Sequence, residues 1–396
     1  MEMQRENLVA LIKKRVKKGK LRGNQMFDFL AHTPGMLRLL EKLVEIESPA
    51  HNKTGVDKVG AIVSEECRRL GGIVKIHPQT TYGNVIESSW GIGEDGILLL
   101  AHMDTVHPVG TIQRMPFREV DDRVMGPGVE DMKGGIVIGL TALAAMANMH
   151  PAPTRPVTAL FTSDEEIGSP ISRPLIESLA RQSALVLVLE PAMPDGALKT
   201  WRKGVGDFIV TVRGRAAHAG SDHELGRNAI EELARQVLVI QALTNYDRGT
   251  TLNVGVIRGG TATNVVPEEA VAEVDLRIME PREVERILDS LHSLKPVMDG
   301  TTISVSGELN RPPMPFDEMM KTTFERTRKI AAGIDMELIA SGTGGASDAN
   351  FVAPLGIPVL DGLGAVGDGG HSEREFILKH SLPERAKLLT TILQEW

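Results

Sequence analysis

The stretch LLLAHMD at residues 98–104 decides the fold, because it joins a buried apolar run to polar side chains that bind metals. The run from Gly96 to Ala101 is continuously apolar rather than alternating, which is typical of a strand covered on both faces in a parallel sheet. Side chains at positions i and i+2 of a strand project to the same side. We therefore expect His102 and Asp104 to share one site.

Three later segments repeat this pattern of an apolar run that ends at acidic residues. VTALF at 157–161 leads to Asp164, Glu165 and Glu166, ALVLVL at 184–189 ends at Glu190, and IPVL at 357–360 ends at Asp361 and leads through glycine-rich chain to His371. If the strands are parallel neighbours, their carboxyl ends converge where open α/β sheets bind ligands. Carboxylates this close repel one another unless cations hold them. The sequence therefore predicts a metal site.

The composition is that of an ordinary globular chain. Of its 396 residues, 42% are hydrophobic and 24% are charged, and the formal net charge is −8. A chain of this length is long for one core, so two domains are expected. The acidic balance does not favour a nucleic-acid partner.

Cysteine usage and hydropathy limit the cellular setting. The sequence has one cysteine, Cys67, which excludes an intrachain disulfide and a thiolate zinc cluster. Cys67 lies in a helical pattern, which favours a role as a half-buried apolar side chain over a role as a nucleophile. No run approaches the ~20 apolar residues of a membrane span. Residues from Glu2 to about Lys20 read as a basic surface helix without the apolar stretch of a signal peptide. A cytoplasmic location and no membrane partner are expected.

Between about Gly204 and Gly307 the pattern changes to alternating strands with two amphipathic helices. Strands are predicted at 208–212, 251–257, 271–278 and 302–305, and helices at 229–243 and 281–294. This β-α-β-β-α-β order is that of a ferredoxin-like domain. Helices predicted at 33–47, 55–70, 136–149 and 316–331 belong to the rest of the chain.

The predicted fold is therefore a mixed, mostly parallel α/β sheet flanked by helices, with an inserted ferredoxin-like α+β domain. The predicted boundaries are 1–203 for the first part of the sheet domain, 204–309 for the insertion and 310–396 for the second part of the sheet domain.

Five side chains of the sequence are suited to hold metal ions. A zinc or similar ion accepts histidine nitrogen and carboxylate oxygen, and two neighbouring ions need a shared ligand. The five are His102, Asp131, Glu166, Glu190 and His371. Asp131 is the natural bridge, although an N-cap of the following helix is an alternative role for it. Glu165 is left over beside Glu166 and suits a general base.

Seven short motifs follow one another over nearly the whole chain. They are HMDTV at 102–106, GPG at 126–128 leading to DMKGG at 131–135, DEEIGS at 164–169, EP at 190–191, HAG at 218–220, GGASDA at 344–349 and HS at 371–372. With these motifs the sequence resembles the M20 metallopeptidase family, and within it the glutamate carboxypeptidase and aminoacylase branch.

The resemblance implies a role for each residue of the site. One zinc would be held by His102 and Glu190, and the other by Glu166 and His371. Asp131 would bridge the two ions, and Co²⁺ or Mn²⁺ could substitute for Zn²⁺. Glu165 would be the general base, and Asp104 would orient His102. The resemblance also implies a cis peptide between Asp131 and Met132.

The inserted domain would act as a lid and as the surface of a homodimer. His218 would reach the neighbouring subunit's site and stabilise the developing oxyanion, although an exposed loop histidine is the alternative. Arg277 and Asn264 match positions that bind the substrate's α-carboxylate, for which the planar guanidinium is suited. An ion pair within the lid is the alternative for Arg277.

The function implied is a dinuclear zinc-dependent hydrolase that cleaves an amide bond next to a C-terminal amino acid with a free carboxylate. The alternatives are an aminoacylase, an N-acyl-amino-acid or auxin-conjugate-type amidohydrolase, and a dipeptidase. The substrate would be a small peptide or an N-acyl amino acid. A binding protein without activity is disfavoured because every ligand and Glu165 are present. Spacing does not choose a cation for an acidic substrate side chain among Lys199, Arg202, Lys203 and Arg311.

Overall fold

The computed structural model describes residues 27–148 and 155–396. The basic helix predicted near the N-terminus lies outside the described residues. Within the described part of the chain, no helix combines the length and the apolar character needed to cross a membrane.

The strands and helices are numbered in chain order. The strands are β1 (Ile73–His77), β2 (Val85–Trp90), β3 (Gly96–His102), β4 (Arg118–Val120), β5 (Arg123–Met125), β6 (Val157–Thr162), β7 (Ser183–Val188), β8 (Leu198–Arg202), β9 (Gly204–Arg213), β10 (Ala217–His218), β11 (Thr251–Gly259), β12 (Val265–Val266), β13 (Glu269–Ile278), β14 (Thr302–Arg311), β15 (Ala340–Thr343), β16 (Val359–Leu360), β17 (Gly367–Asp368) and β18 (Phe376–Leu378). The helices are α1 (Phe29–Val44), α2 (Lys53–Arg69), α3 (Thr111–Arg114), α4 (Gly134–Ala147), α5 (Arg173–Ala180), α6 (Ala229–Gln241), α7 (Pro281–His292), α8 (Glu318–Ala332), α9 (Ala349–Val352) and α10 (Ser381–Glu395).

The central sheet has six strands in the order β1-β2-β6-β3-β7-β16. Strands β6, β3, β7 and β16 run parallel to one another, whereas β1 and β2 pair antiparallel at one side. The prediction of a mixed, mostly parallel sheet is confirmed. Because β6, β3 and β7 are direct neighbours, the residues that follow them meet at one edge.

Strand β3 supplies side chains to two separate cores. Leu98 and Leu100 pack in the core that includes Phe351 of α9, whereas Leu99 and Ala101 pack in the core that includes helices α1, α2, α4 and α10. Each fully buried leucine contributes about 1.5–3 kcal/mol to stability. Burial on both faces is the reason that the apolar run is continuous.

Helix α1 begins earlier than predicted. The carboxylate of Asp28 accepts a hydrogen bond from the Ala31 backbone N–H at 3.0 Å and caps the helix, which then starts at Phe29. The predicted start at Thr33-Pro34 is wrong, because the helix extends about one turn further toward the N-terminus, to the Asp28 cap. Pro34 instead lies inside the helix.

The inserted segment forms an antiparallel sheet in the order β11-β13-β9-β14 with helices α6 and α7. Phe208, Leu233 and Ile287 lie in its own hydrophobic core. The ferredoxin-like β-α-β-β-α-β order is confirmed. The four strands begin at Gly204 and end at Arg311, and the boundaries 204 and 309 stay a prediction.

A smaller sheet, β17-β18-β5-β4, brings two distant loops together. Strand β18 pairs antiparallel with β5, so that Phe376 lies opposite Met125. The chain before β18 carries His371, and the chain after β5 carries Asp131. This pairing therefore places the two segments side by side.

Candidate metal centre

The functional side chains collect at the carboxyl ends of three neighbouring strands. His102 is the last residue of β3, Glu165 and Glu166 lie in a short turn after β6, and Glu190 follows β7. Asp131 and His371 come from loops outside the sheet. We call His102, Asp131, Glu166, Glu190 and His371 the acid–histidine cluster.

The carboxylate of Asp131 lies between the two histidines. Its Oδ1 is 3.0 Å from His102 Nε2, and its Oδ2 is 3.1 Å from His371 Nε2. Glu190 Oε1 is 3.4 Å from His102 Nε2, and Glu166 Oε2 is 3.4 Å from His371 Nε2. The cluster thus consists of two acid–imidazole groups that share Asp131.

Asp131 is not a helix cap in this structure. Helix α4 begins three residues later, at Gly134, and Lys133 rather than Asp131 stands at its N-cap position. The Asp131–Met132 peptide bond is cis, as the resemblance implied. The preceding turn requires Gly128, which has φ 71° and on which a Cβ atom would lie 2.5 Å from Thr105 Cγ2.

Asp104 contacts both His102 and the turn that carries Glu165 and Glu166. Its backbone oxygen lies 2.9 Å from His102 Nδ1, whereas its carboxylate oxygen is 3.6 Å from that nitrogen. The buried carboxylate instead accepts hydrogen bonds from the backbone N–H groups of Glu165 and Glu166, at 3.2 and 3.1 Å. The carbonyl oxygen therefore orients the imidazole, and the carboxylate fixes the turn that carries both glutamates.

Glu165 is buried beside an arginine that sequence spacing did not single out. Arg311 Nη2 donates to Glu165 Oε1 at 2.8 Å and to Asp348 Oδ1 at 3.0 Å. Burial raises the pKa of the Glu165 carboxyl well above its ordinary value, and the positive charge of Arg311 opposes that rise.

A second buried arginine supports Glu190. Arg202 Nε donates to Asp361 Oδ2 at 2.6 Å, and its Nη2 donates to Glu190 Oε2 at 3.3 Å. Asp361 therefore contacts the cluster through Arg202. Lys199 is buried, and burial followed by the charge of Arg202 lowers its pKa. Of the four cations left open by sequence, Arg202 and Arg311 thus make ion pairs with acids of the site.

The electrostatics of the cluster favour positive charge between its carboxylates. Hydrogen bonds to Asp131 and Glu166 raise the pKa of His371 to about 11, although burial opposes this. Burial lowers the pKa of His102, but its bonds to Asp104, Asp131 and Glu190 outweigh burial and leave the pKa above its ordinary value. Burial raises the pKa of Asp131, and the bonds from both histidines outweigh it and lower the pKa.

The donor set fits divalent metal ions. Ligand atoms of His102, Asp131 and Glu166 lie within 4.8 Å of one another, and so do those of His102, Glu165 and Glu190. Glu166 Oε1 is buried and has no hydrogen-bond partner among the described residues. Imidazole and carboxylate ligands together suit Zn²⁺, Co²⁺ and Mn²⁺. The unpaired oxygen is accounted for if it is a ligand.

The three residues predicted to act from the insertion are His218, Asn264 and Arg277, and the contacts described here join them to other residues of the insertion. His218 is exposed and lies in β10, where its Nδ1 accepts hydrogen bonds from the backbone N–H groups of Gly220 and Ser221. The backbone carbonyl of Asn264 accepts a hydrogen bond from the Ala219 N–H at 2.9 Å. Arg277 is ion-paired with Asp275 of its own strand at 2.8 Å. Within residues 27–148 and 155–396, no hydrogen bond or ion pair joins these three to the acid–histidine cluster.

Two buried residues near the cluster were missed by sequence reasoning. Glu375 has no exposed surface, and His107 is 7% exposed. His107 Nε2 lies 2.6 Å from Glu375 Oε2. The sequence signal for Glu375 is its position four residues after His371, which is too short a pattern to interpret alone.

The fold and the site together define a metal-dependent hydrolase of the peptidase and amidohydrolase class. The model of peptidase family M20/M25/M40 matches residues 98–395, and the chain belongs to this family. The family prediction made from the seven motifs is confirmed, and the chain is an enzyme of this class.

Sequence relatives agree with this assignment, and a solved structure has the same fold. The chain is 28% identical over 373 residues to carboxypeptidase G2 of Pseudomonas sp. strain RS-16, which covers 91% of this chain and 89% of that protein. It is 28% identical over 319 residues to succinyl-diaminopimelate desuccinylase of Nitrosomonas eutropha, covering 74% and 82%. Aminopeptidase PepT of Bacillus cereus has the same fold, with a TM-score of 0.75 and 21% identity over 94% of this chain and 99% of that one.

Proposed function

We propose that this chain is a dinuclear zinc-dependent hydrolase that cleaves the amide bond next to a C-terminal amino acid with a free carboxylate. The observation that carries the proposal is the carboxylate of Asp131, whose two oxygens face the imidazoles of His102 and His371 at 3.0 and 3.1 Å. The likeness to carboxypeptidase G2 supports the choice of reaction.

In this proposal each residue of the acid–histidine cluster has a defined ion to bind. His102 and Glu190 would hold one ion, Glu166 and His371 would hold the other, and Asp131 would be shared between them. When bound, such ions polarise a carbonyl group and acidify a water molecule. Arg202 keeps Glu190 in place through its Nη2 contact.

Glu165 would be the general base. Its carboxylate takes the proton from the attacking water, and a group that does so must lie within hydrogen-bond reach of the reacting atoms. Asp104 fixes the backbone of Glu165, and Arg311 fixes one of its carboxylate oxygens. Both contacts orient the side chain beside the cluster.

The insertion would bind the rest of the substrate. Arg277 and Asn264 would hold the free α-carboxylate, because the two outer nitrogens of a guanidinium match the two oxygens of a carboxylate. In this structure Asp275 accepts hydrogen bonds from Nε and Nη2 of Arg277, and at Nη2 it would be exchanged for the substrate carboxylate. His218 would stabilise the oxyanion in the neighbouring subunit's site.

A homodimer formed through the insertion is part of the proposal. Helix α6 carries exposed apolar residues, among them Leu238 (73% exposed), and Ile257 (53% exposed) lies on β11, which is an edge strand of the inserted sheet. Such residues are typical of a surface that another chain covers. Cytoplasmic location and the absence of a nucleic-acid partner stay predictions from the sequence.

Hydrolysis of an N-acyl amino acid is the second candidate, because a desuccinylase is among the relatives. The same cluster and the same carboxylate anchor would act on either an acyl group or an aminoacyl group. The two candidates differ only in what lies on the acyl side of the amide bond.

A substrate panel tests the proposal. The chain is freed of metal with a chelator, reloaded with Zn²⁺, Co²⁺ or Mn²⁺, and assayed on dipeptides, N-acyl amino acids and glutamate conjugates, each as the free acid and as the amide. We expect two equivalents of Zn²⁺ per chain to restore activity on free acids. Activity that persists without metal, or equal activity on the amides, would overturn the proposal.

A further inference from the structure

One buried carboxylate is surrounded by donors from two other segments. Glu375 Oε1 accepts from the backbone N–H groups of Glu130 and Asp131, at 2.8 and 3.0 Å. Its Oε2 accepts from the Gly128 N–H at 2.9 Å and lies 2.6 Å from His107 Nε2. The side chain has no exposed surface.

The three segments tied by this carboxylate are those that carry three members of the acid–histidine cluster. His107 lies on the loop that continues from His102, and the N–H donors lie in the loop of Asp131. Glu375 itself ends the loop that begins at His371. We propose that Glu375 is a positioning residue that sets the separation of Asp131 and His371 and so prepares the metal centre. This inference rests on the proposed function.

The energetics favour a dedicated role for this side chain. A buried carboxylate is costly unless hydrogen bonds satisfy it, and a loop that offers three N–H groups to one side chain has few other conformations in which they are satisfied. The N–H of Asp131 is one of the three, so the bond fixes the backbone of the shared ligand. The carboxylate of Asp131 can then reach both His102 and His371.

The chain offers a matched control on the same loop. Glu373 lies two residues before Glu375, is 57% exposed and forms a surface ion pair with Arg114 at 2.8 Å. Glu373→Gln therefore removes the same charge at nearly the same place without touching the Asp131 loop. Glu375→Gln keeps one oxygen acceptor but turns an NH₂ group toward existing donors, and Glu375→Ala removes both acceptors.

The test measures metal binding rather than turnover. Full-length wild type, Glu375→Gln, Glu375→Ala and Glu373→Gln are prepared without metal and titrated with Co²⁺, whose visible spectrum reports ligand geometry. Zn²⁺ affinity is then measured by competition with a chromophoric chelator. The melting temperature of each metal-free protein is recorded by circular dichroism.

Loss of contacts that orient ligands lowers metal affinity by about 10–100-fold. We expect the metal affinity to fall by this amount in Glu375→Ala and by less in Glu375→Gln. The Co²⁺ spectrum should change in both variants. Glu373→Gln should keep the affinity and the spectrum of the wild type. If Glu375→Ala does not fold, the affinity and spectrum of Glu375→Gln decide. Wild-type affinity and spectrum in the Glu375 variants, with or without a lower melting temperature, would overturn this inference alone. A wild-type chain that binds no Co²⁺ would overturn the proposed function as well.

Discussion

Arg311 Nη2 lies 2.8 Å from Glu165 Oε1, so a buried guanidinium faces the proposed general base. Burial of an isolated glutamate disfavours its charged form, and only a charged carboxylate can accept a proton. The positive charge of Arg311 lowers the pKa of Glu165 against the effect of burial. Burial remains the larger effect and the pKa stays above its ordinary value, so the arginine offsets part of the cost of burying the charged form.

Replacing this base should separate chemistry from metal binding. Glu165→Gln keeps the size of the side chain, so metal content should stay at the wild-type value while kcat falls by about 100-fold or more. Metal analysis and steady-state kinetics on the same preparation test this. Glu177→Gln, which removes a carboxylate of a surface ion pair, is the control. Turnover within a few-fold of wild type in Glu165→Gln would exclude the base role.

Arg277 should act on substrates only through their free carboxylate. Arg277→Ala is expected to lower kcat/KM for free-acid substrates by about 10-fold or more, since a charge-assisted pair contributes about 1.5–3 kcal/mol. Slow residual activity on amidated substrates should be unchanged. Arg213→Ala on the same sheet, where the side chain is 70% exposed, is the matched control. Equal losses on acids and amides would contradict the assignment.

The predicted homodimer can be tested at Leu238. A glutamate at this apolar position would place charge in the proposed interface, so Leu238→Glu should shift the mass measured by light scattering toward the monomer. Leu30→Glu is a fitting control because Leu30 is 74% exposed, against 73% for Leu238, but lies on α1 outside the insertion. A wild-type chain that is already monomeric, or a dimer that Leu238→Glu leaves intact, would count against the insertion as the interface.

Cys67 should be unreactive in the folded chain. Burial raises the pKa of its thiol to about 12, so at pH 8 almost none of it is the reactive thiolate. A disulfide reagent should label the native protein slowly and release one equivalent only after unfolding in urea. Faster labelling is expected as the pH is raised toward 12. Rapid labelling at pH 8 in the native state would show that the side chain is accessible.

The sequence predicted the convergence of strand ends because the required pattern is local. An apolar run followed by His102 or Glu190 can be read without knowing any partner, and the parallel order of β6, β3 and β7 then brings the ends together. The bridging role of Asp131 is predicted both from the need of two neighbouring ions for a shared ligand and from the family resemblance, and its carboxylate lies 3.0 and 3.1 Å from the two imidazoles.

The supporting contacts could not be predicted in the same way. Glu375 binds backbone N–H groups, which every residue carries, so no side-chain pattern marks its partners. Arg202 and Arg311 were left among four cations because their roles depend on which acids lie opposite them after folding. Asp104 hydrogen-bonds His102 through its backbone carbonyl, a group that every residue carries, so the side-chain type gave no signal for this contact.

The division of β3 between two cores makes its register intolerant of insertions. Adding or deleting one residue within Gly96–His102 would exchange the two faces of the strand, moving Leu98 and Leu100 to the helices that now receive Leu99. The same shift would turn the imidazole at the end of the strand away from Asp131. Homologous chains can therefore vary the apolar side chains of this strand, but we expect them to keep its length fixed.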